Sequence, residues 1–592
     1  RRWRFRNGGG AFTFRGRVVA GPCATNCTPG VVVNEGPLAA PNAPRFLDTD
    51  GAVLAIAEGD GVVYLGGNFT SVGPRTGAAL FTAANSGADA DFKAYADANL
   101  ALRSYHSDPE RYAEIKGYIA ASEAGGFSAL ERRELAVADL AYRGNQLPQE
   151  LLRDMVERSS EIEQTFNTFR PRFEEKTASN NDLLDVLRKS TDLARREAAW
   201  EALKEVGAAV APNLVALAKV RNRAALSLGY ANYWEMKIRL QEHDPDMLLA
   251  LFAELEAETN EPFRAMKAKL DAEQASRLGL EPAQLMPWHY DNPFFQSPPP
   301  SAVIDGDVFY EHMPKEAIVE LAKTFYADIG LPMEDLAANS DLYERAGKDQ
   351  HAFCITMDRG GDVRMLLNIQ PTQEWMDTML HEAGHAVYYK FIDRGLPFNL
   401  REASHIFTTE AIAMMFGALG KNPTWLTGYA GADPAKVAAA APALAEQRQR
   451  EQLIFARWAM VMFHFERALY QDPDQDLNSA WYDLVERLQL LKRPVGRDAP
   501  DWAAKPHFTI APVYYHNYLL GELFAAQLRD KLAKMANHEG PRAELSWNGR
   551  KDFGTFLINE VFKPGMTTPW PTFVTQATGT PLSAAAFAAE VK

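Results

Sequence analysis

Residues 376–390 read MDTMLHEAGHAVYYK, a stretch with His381 and His385 four positions apart. On a helix that spacing turns both imidazoles to one face, where they can grip a single zinc ion. Glu382 lies beside that face, so a base adjoins a Lewis acid. Pro371 and Thr372 mark the helix start, with Thr372 as N-cap and Glu374 in the first turn. The helix then runs through Met376, Leu380 and Val387 toward Gly395. The bland alternative is a helix carrying two surface histidines. With 12 histidines in 592 residues, a chance His-Glu-x-x-His is expected in roughly one chain in fifty. A zinc site therefore needs a third protein ligand from elsewhere.

The next helical stretch, REASHIFTTEAIAMMFGALG (401–420), offers one. Glu410 follows His385 by 25 residues and shares its helix with Ile406, Ala411, Met414 and Met415. A carboxylate on so apolar a helix is costly unless paired or metal-bound. That makes Glu410 the preferred ligand, with Glu402 and His405 as competitors, one of which could instead orient a ligand histidine.

Composition bounds the remaining possibilities. Apolar residues make up 47% and charged residues 23% of the chain, as in ordinary globular proteins with a sizeable core. The net charge of −15 argues against nucleic acid as a partner. No run is long and apolar enough to span a membrane. The opening RRWRFRNGGGAFTFRGRVVAG is basic but lacks the apolar core of a signal peptide. Cys23, Cys27 and Cys354 make no disulfide framework, and neither pairing nor metal binding is expected of the first two.

The texture changes near residue 90. Residues 1–90 are rich in Gly, Pro, Asn and Thr, and GAVLAIAEGDGVVYLGGNFTSVG (51–73) reads as strand, turn, strand. Its second half resembles one repeat of an extracellular β-propeller, yet a single blade cannot bury its own faces. The segment is expected to be disordered or a fusion unless it docks on the rest. Asn68 heads an Asn-x-Thr sequon that is expected to carry no modification.

Residues 91–592 form the second unit and show apolar positions at helical spacing. Asp108 and Asn181 read as N-caps, Gly144 and Gly229 as stops. The Pro-rich NPFFQSPPPSAVIDGD (292–307) reads as a surface loop or lobe crossing, and His289 just before it as structural. HAFCITM (351–357), DRGGD (358–362) and VRMLLNI (363–369) read as a hairpin, with Gly360 and Gly361 supplying positive-φ turn positions.

Taken together, these places resemble the angiotensin-converting-enzyme (peptidyl-dipeptidase A) family of helical zinc peptidases, relatives of the thimet-type oligopeptidases, over about residues 95–592. The resemblance rests on His351-Ala352 thirty residues before His381, on Asp362-x-Arg364, on TTEAIAMMFG, and on KPHFTIAPVYYHNYLLGELF (505–524). It implies a mainly α, bilobed fold enclosing a deep substrate channel, with a small β-hairpin beside the His-Glu-x-x-His helix. It also implies one zinc ion per chain on His381, His385 and Glu410, with Glu382 as general base.

By the same resemblance Ala352 and its strand would bind the substrate backbone, and His351 a substrate carbonyl. Lys505 would grip the C-terminal carboxylate, while His507 with a tyrosine would stabilise the oxyanion. Tyr514, Tyr515 and Tyr518 lie close together, and Tyr515 with Tyr518 reproduces the family's spacing best. Met414 stands where the family usually has Asp, and an arginine tied to chloride activation is replaced near His516, which argues against chloride dependence. The implied activity is zinc-dependent release of C-terminal dipeptides from short peptides, by a chain for which a monomer and an extracytoplasmic location are favoured. The alternatives are a thimet-type endo-oligopeptidase and a catalytically silent peptide-binding protein on the same fold.

Overall fold

The computed structural model describes residues 76–299 and 305–592, together with the backbone of short strands between Arg2 and Gly73. Among those strands Arg2–Asn7 pairs with Gly10–Arg15 and Ala52–Gly59 with Val62–Asn68, both antiparallel. Cys23, Cys27 and the Asn68 side chain lie outside the described residues.

From Thr76 onward the chain is mainly α, as expected. The first helix, α1 (Thr76–Ser86), begins inside the segment whose composition reads as Gly/Pro-rich. Its Phe81 and Ala84 are buried on Met357 and Leu366 of the hairpin, so the helical body extends further toward the N-terminus than the change of texture suggests. The helices that frame the site are α2 (Leu193–Ser227), α3 (Tyr233–Leu240), α4 (Pro245–Leu278), α5 (Gln373–Phe391), α6 (Ile406–Gly417), α7 (Pro434–Gln471) and α8 (His516–Met535). One apolar core runs through them from Ile162 to Val591, and it takes in Met376, Leu380, Ala383 and Val387 of α5. No helix among the described residues is long and apolar enough to cross a membrane.

Local chemistry explains most boundaries. Asp108 caps its helix by accepting the Glu110 amide at 2.9 Å, and Thr372 caps α5 by accepting the Trp375 amide at 3.3 Å. Helix α5 stops at Phe391, one turn before Gly395. The cap expected at Asn181 falls instead on Ser179, because Ser179 and Asp182 satisfy each other's backbone amides in a capping box.

The hairpin forms between β1 (Phe353–Thr356) and β2 (Val363–Leu366), antiparallel with Val363 opposite Thr356. Positive φ is carried by Arg359 and Gly361, not by Gly360. The Asp358 carboxylate explains the difference: it accepts the Gly360 amide at 2.7 Å and the Asp362 amide at 3.2 Å, a side-chain turn that dictates the backbone path. The Pro-rich segment also departs from a simple surface loop. Phe295 is 1% exposed within the core, and the segment's beginning is interior wall.

Candidate active site

Helices α5 and α6 bring three ligand groups together. Nε2 of His381 and Nε2 of His385 each lie 3.8 Å from Glu410 Oε2, and the two imidazoles stand nearly perpendicular with centroids 4.9 Å apart. Around a tetrahedral ion with bonds of about 2.0–2.1 Å, neighbouring ligand atoms sit roughly 3.4 Å apart, so the set needs only a small contraction. The close approach of the helices depends on Gly384, where a Cβ would come within 2.9 Å of the Ala413 Cα. On the far side of α6, Gly521 lets α8 reach Glu410, since a Cβ there would meet the Glu410 Cβ at 3.4 Å.

Desolvation tunes these groups for a cation. It lowers His381 to about 4 and holds His385 well below its ordinary value, with the neighbouring His381 adding to the effect, so both rings stay neutral. Glu410 is pushed up to about 7 by burial, and Glu382 to about 8 by burial and then by Glu410. Among the described residues no lysine or arginine forms an ion pair with either carboxylate. Two neutral imidazoles and a buried carboxylate lacking a counter-charge fit one divalent metal ion. The side chain of His381 is 30% exposed, the most open of the three, and marks the side from which water or substrate approaches.

His385 is aimed by a residue that sequence reasoning missed. Its Nδ1 lies 2.7 Å from Thr409 Oγ1, and donation there leaves the Nε2 lone pair facing Glu410. Thr409 directly precedes the ligand, but a threonine inside an apolar helix carries no signal of its own. The competing ligands are engaged elsewhere. Glu402 pairs with Arg359 at 2.9 Å, while His405 caps α6 and places Nε2 at 2.9 Å from the Gln241 carbonyl. His289 accepts the Met286 amide at 2.8 Å and stays structural.

A second feature lies along α8. Lys505 is 7% exposed, with its ammonium 5.2 Å from the Trp458 ring centroid and 5.6 Å from that of Tyr515. It donates to Gln296 Oε1 at 2.7 Å, and burial pushes it down to about 8. No carboxylate pairs with it among the described residues, so the pocket is a cation awaiting an anion. Gln296 is the other functional residue missed in the sequence, because it sits in the Pro-rich segment and meets Lys505 only in the fold. A cavity of about 290 Å³ shares Gln296 with this pocket and is also lined by Met414 of α6, Phe455 and the charged Lys421, Arg448, Glu451, Glu522 and Arg529.

The tyrosines divide between the two features. The Tyr515 hydroxyl accepts from Trp458 Nε1 at 2.7 Å, which ties it to the Lys505 pocket. Tyr514 and Tyr518 are raised by burial and then by Glu410. The Tyr515 and Tyr518 rings touch, with centroids 5.3 Å apart. His507 packs on Tyr515 at 5.1 Å and leaves Nδ1 buried without a partner. Desolvation and then Lys505 lower it to about 4, so its ring is neutral.

Strand β1 runs beside α5 and forms one edge of its two-stranded sheet. Half-buried Cys354 on β1 has its thiol held far above the usual range by desolvation and then by the Glu382 carboxylate. Ala352 is half-buried just before the strand, and His351 is exposed with its amide donated to Asp349 at 2.9 Å. Neither of these two belongs to the triad.

Residues 306–589 match the family model described as angiotensin-converting enzyme. Over 434 residues the chain is 23% identical to angiotensin-converting enzyme from Sus scrofa, an alignment covering 68% of this chain and 32% of that protein. The chain thus spans about a third of the length of that relative. The matched region contains the triad, Lys505 and the tyrosines, but neither Gln241 nor Gln296.

Proposed function

Because residues 306–589 match the family model described as angiotensin-converting enzyme, we propose that this protein is a zinc peptidase that releases dipeptides from the C-termini of short peptides. The observation that carries the reading is the buried Lys505 ammonium, which pairs with no carboxylate among the described residues and lies over Tyr515, whose ring touches that of Tyr518. Two extended residues span about 7 Å, the reach a peptide end anchored at Lys505 would need between its carboxylate and the bond cleaved at the triad.

A zinc ion held by His381, His385 and Glu410 would supply Lewis acidity that polarises the peptide carbonyl and acidifies water beside it. Glu382 takes the proton from the attacking water and returns it to the leaving amine. The Tyr518 hydroxyl donates to the oxyanion as it develops. His507, neutral and with Nδ1 free, donates to a substrate carbonyl between the anchor and the scissile bond. Lys505, Gln296 and Tyr515 hold the terminal carboxylate, and the adjoining cavity accommodates the last side chain. The edge of β1 adds the substrate backbone as a further strand, with Ala352 and His351 at its end.

Mass spectrometry of products from a peptide mixture tests the reading. Zinc-loaded protein should release C-terminal dipeptides, a chelator should stop the reaction, and amidating the substrate C-terminus should lower kcat/KM at least tenfold, as expected for a lost charge-assisted contact of about 1.5–3 kcal/mol. Internal cleavage indifferent to amidation would identify an endopeptidase and remove the anchor role of Lys505. No cleavage by the zinc-loaded protein would leave a silent peptide binder.

A further inference from the structure

Between α3 and α4 the chain makes a tight turn, with Glu242 at φ 59, and just before it the side chain of Gln241 reaches Val513 and Asn517 at the start of α8 while its backbone carbonyl meets the N-cap of α6. Every polar group of this residue that faces the site is engaged. Its Nε2 donates to the Lys237 carbonyl at 2.9 Å and to the Val513 carbonyl at 3.0 Å. Its Oε1 accepts from Asn517 Nδ2 at 2.7 Å, and its backbone carbonyl accepts from His405 Nε2 at 2.9 Å. His405 is the N-cap of the helix that carries Thr409 and Glu410. Asn517 directly precedes Tyr518, and Val513 directly precedes Tyr514.

Val513 shows why such a clamp is needed. It is a β-branched residue in the left-handed region, with φ 55, a conformation that surrounding bonds must impose. Its amide donates to buried Glu466 at 2.7 Å while its carbonyl is held by Gln241. Without the Gln241 side chain, the Val513 carbonyl and the Asn517 amide lose their partners in the interior. The easiest relief is for Val513 to leave its strained conformation, which swings Tyr514 to Tyr518 away from Glu410.

We infer that Gln241 is a positioning residue that sets the register of the tyrosine-bearing helix α8 against the ligand-bearing helix α6. The inference rests on the peptidase reading for its kinetic consequence, but not for its structural one. Two variants separate hydrogen bonding from space filling: Gln241→Ala removes the side chain, and Gln241→Met fills its volume without polar atoms. Both should lower kcat by about ten- to a hundredfold, the usual consequence of misplacing a catalytic group by an ångström. KM should stay within about threefold and zinc content at one per chain. In the metal-free protein, hydrogen exchange at the amides of residues 513–518 should speed up in both variants.

Full kcat in the Met variant would reduce Gln241 to packing and overturn the inference. So would unchanged exchange at 513–518, and that measurement remains decisive even if the wild-type protein cleaves no peptide, an outcome that would overturn only the peptidase reading.

Discussion

Thr409 and Glu410 are neighbours on one helix turn, yet only the second advertises itself. A carboxylate among apolar side chains demands a partner, whereas a threonine can vanish into a helix by bonding its own backbone. The 2.7 Å contact to His385 Nδ1 gives Thr409 its purpose. Thr409→Val should keep the fold and weaken zinc binding about ten- to a hundredfold, the usual loss when a ligand histidine is left unoriented. Glu382→Gln should do the reverse, holding zinc normally while kcat falls about 10²- to 10⁴-fold. Chelator competition and steady-state kinetics on the same two variants check both directions; equal zinc affinity in Thr409→Val and wild type would remove the orienting role. The pair His381 and His385 was legible because helical spacing alone brings them together, and Glu382 comes with them.

At the scale of elements, the spacing between helices decides whether ligands on two of them can share one ion. Gly384 sits inside the His-Glu-x-x-His stretch, and its missing Cβ is what allows Ala413 of α6 to approach. Gly384→Ala should destabilise the protein by about 1–3 kcal/mol through overpacking, and should weaken zinc binding because Glu410 moves away with α6. Thermal unfolding and chelator competition read the two effects, and wild-type zinc affinity in this variant would show that the helix contact does not govern the site. Helices α5 and α6 and the hairpin were legible from apolar spacing and turn residues. The Ser179 cap and the Arg359 turn position were not, because neighbouring Asp182 and Asp358 choose among sequence-compatible options.

Across the whole molecule, buried histidines from three distant stretches meet behind the site. His243 packs at a tilt on His405 and edge-on to His516, with centroids 4.7 and 5.0 Å apart, and all three rings are interior. Desolvation lowers His405 to about 4 and His516 to about 3, and holds His243 well below its ordinary value. Lys237 further opposes protonation of His516, while Glu242 favours that of His405 without offsetting burial. A depressed folded pKa contributes stability that is present above the unfolded value of about 6.5 and is lost as pH falls toward the folded one. Each such ring can cost about 1.4 kcal/mol per pH unit within that window. The thermal midpoint should therefore fall between pH 6.5 and 4, and His516→Asn should make that fall shallower even if it starts lower. An unchanged slope would mean that other groups govern acid sensitivity.

What the sequence by itself determined is everything that local geometry enforces: a mainly α chain, a paired-histidine helix with its base, a hairpin just before it, and a carboxylate that an apolar helix could not otherwise tolerate. Each follows from spacing along a few turns of one element. Tertiary structure alone decided that Tyr515 meets Trp458, that Thr409 aims His385, that Gln296 holds Lys505, and that Gln241 ties α6 to α8. Those relations join residues as far apart as Gln241 and Asn517. They depend on helix register and approach distance, quantities set by the packing of the whole core and not written in any single stretch.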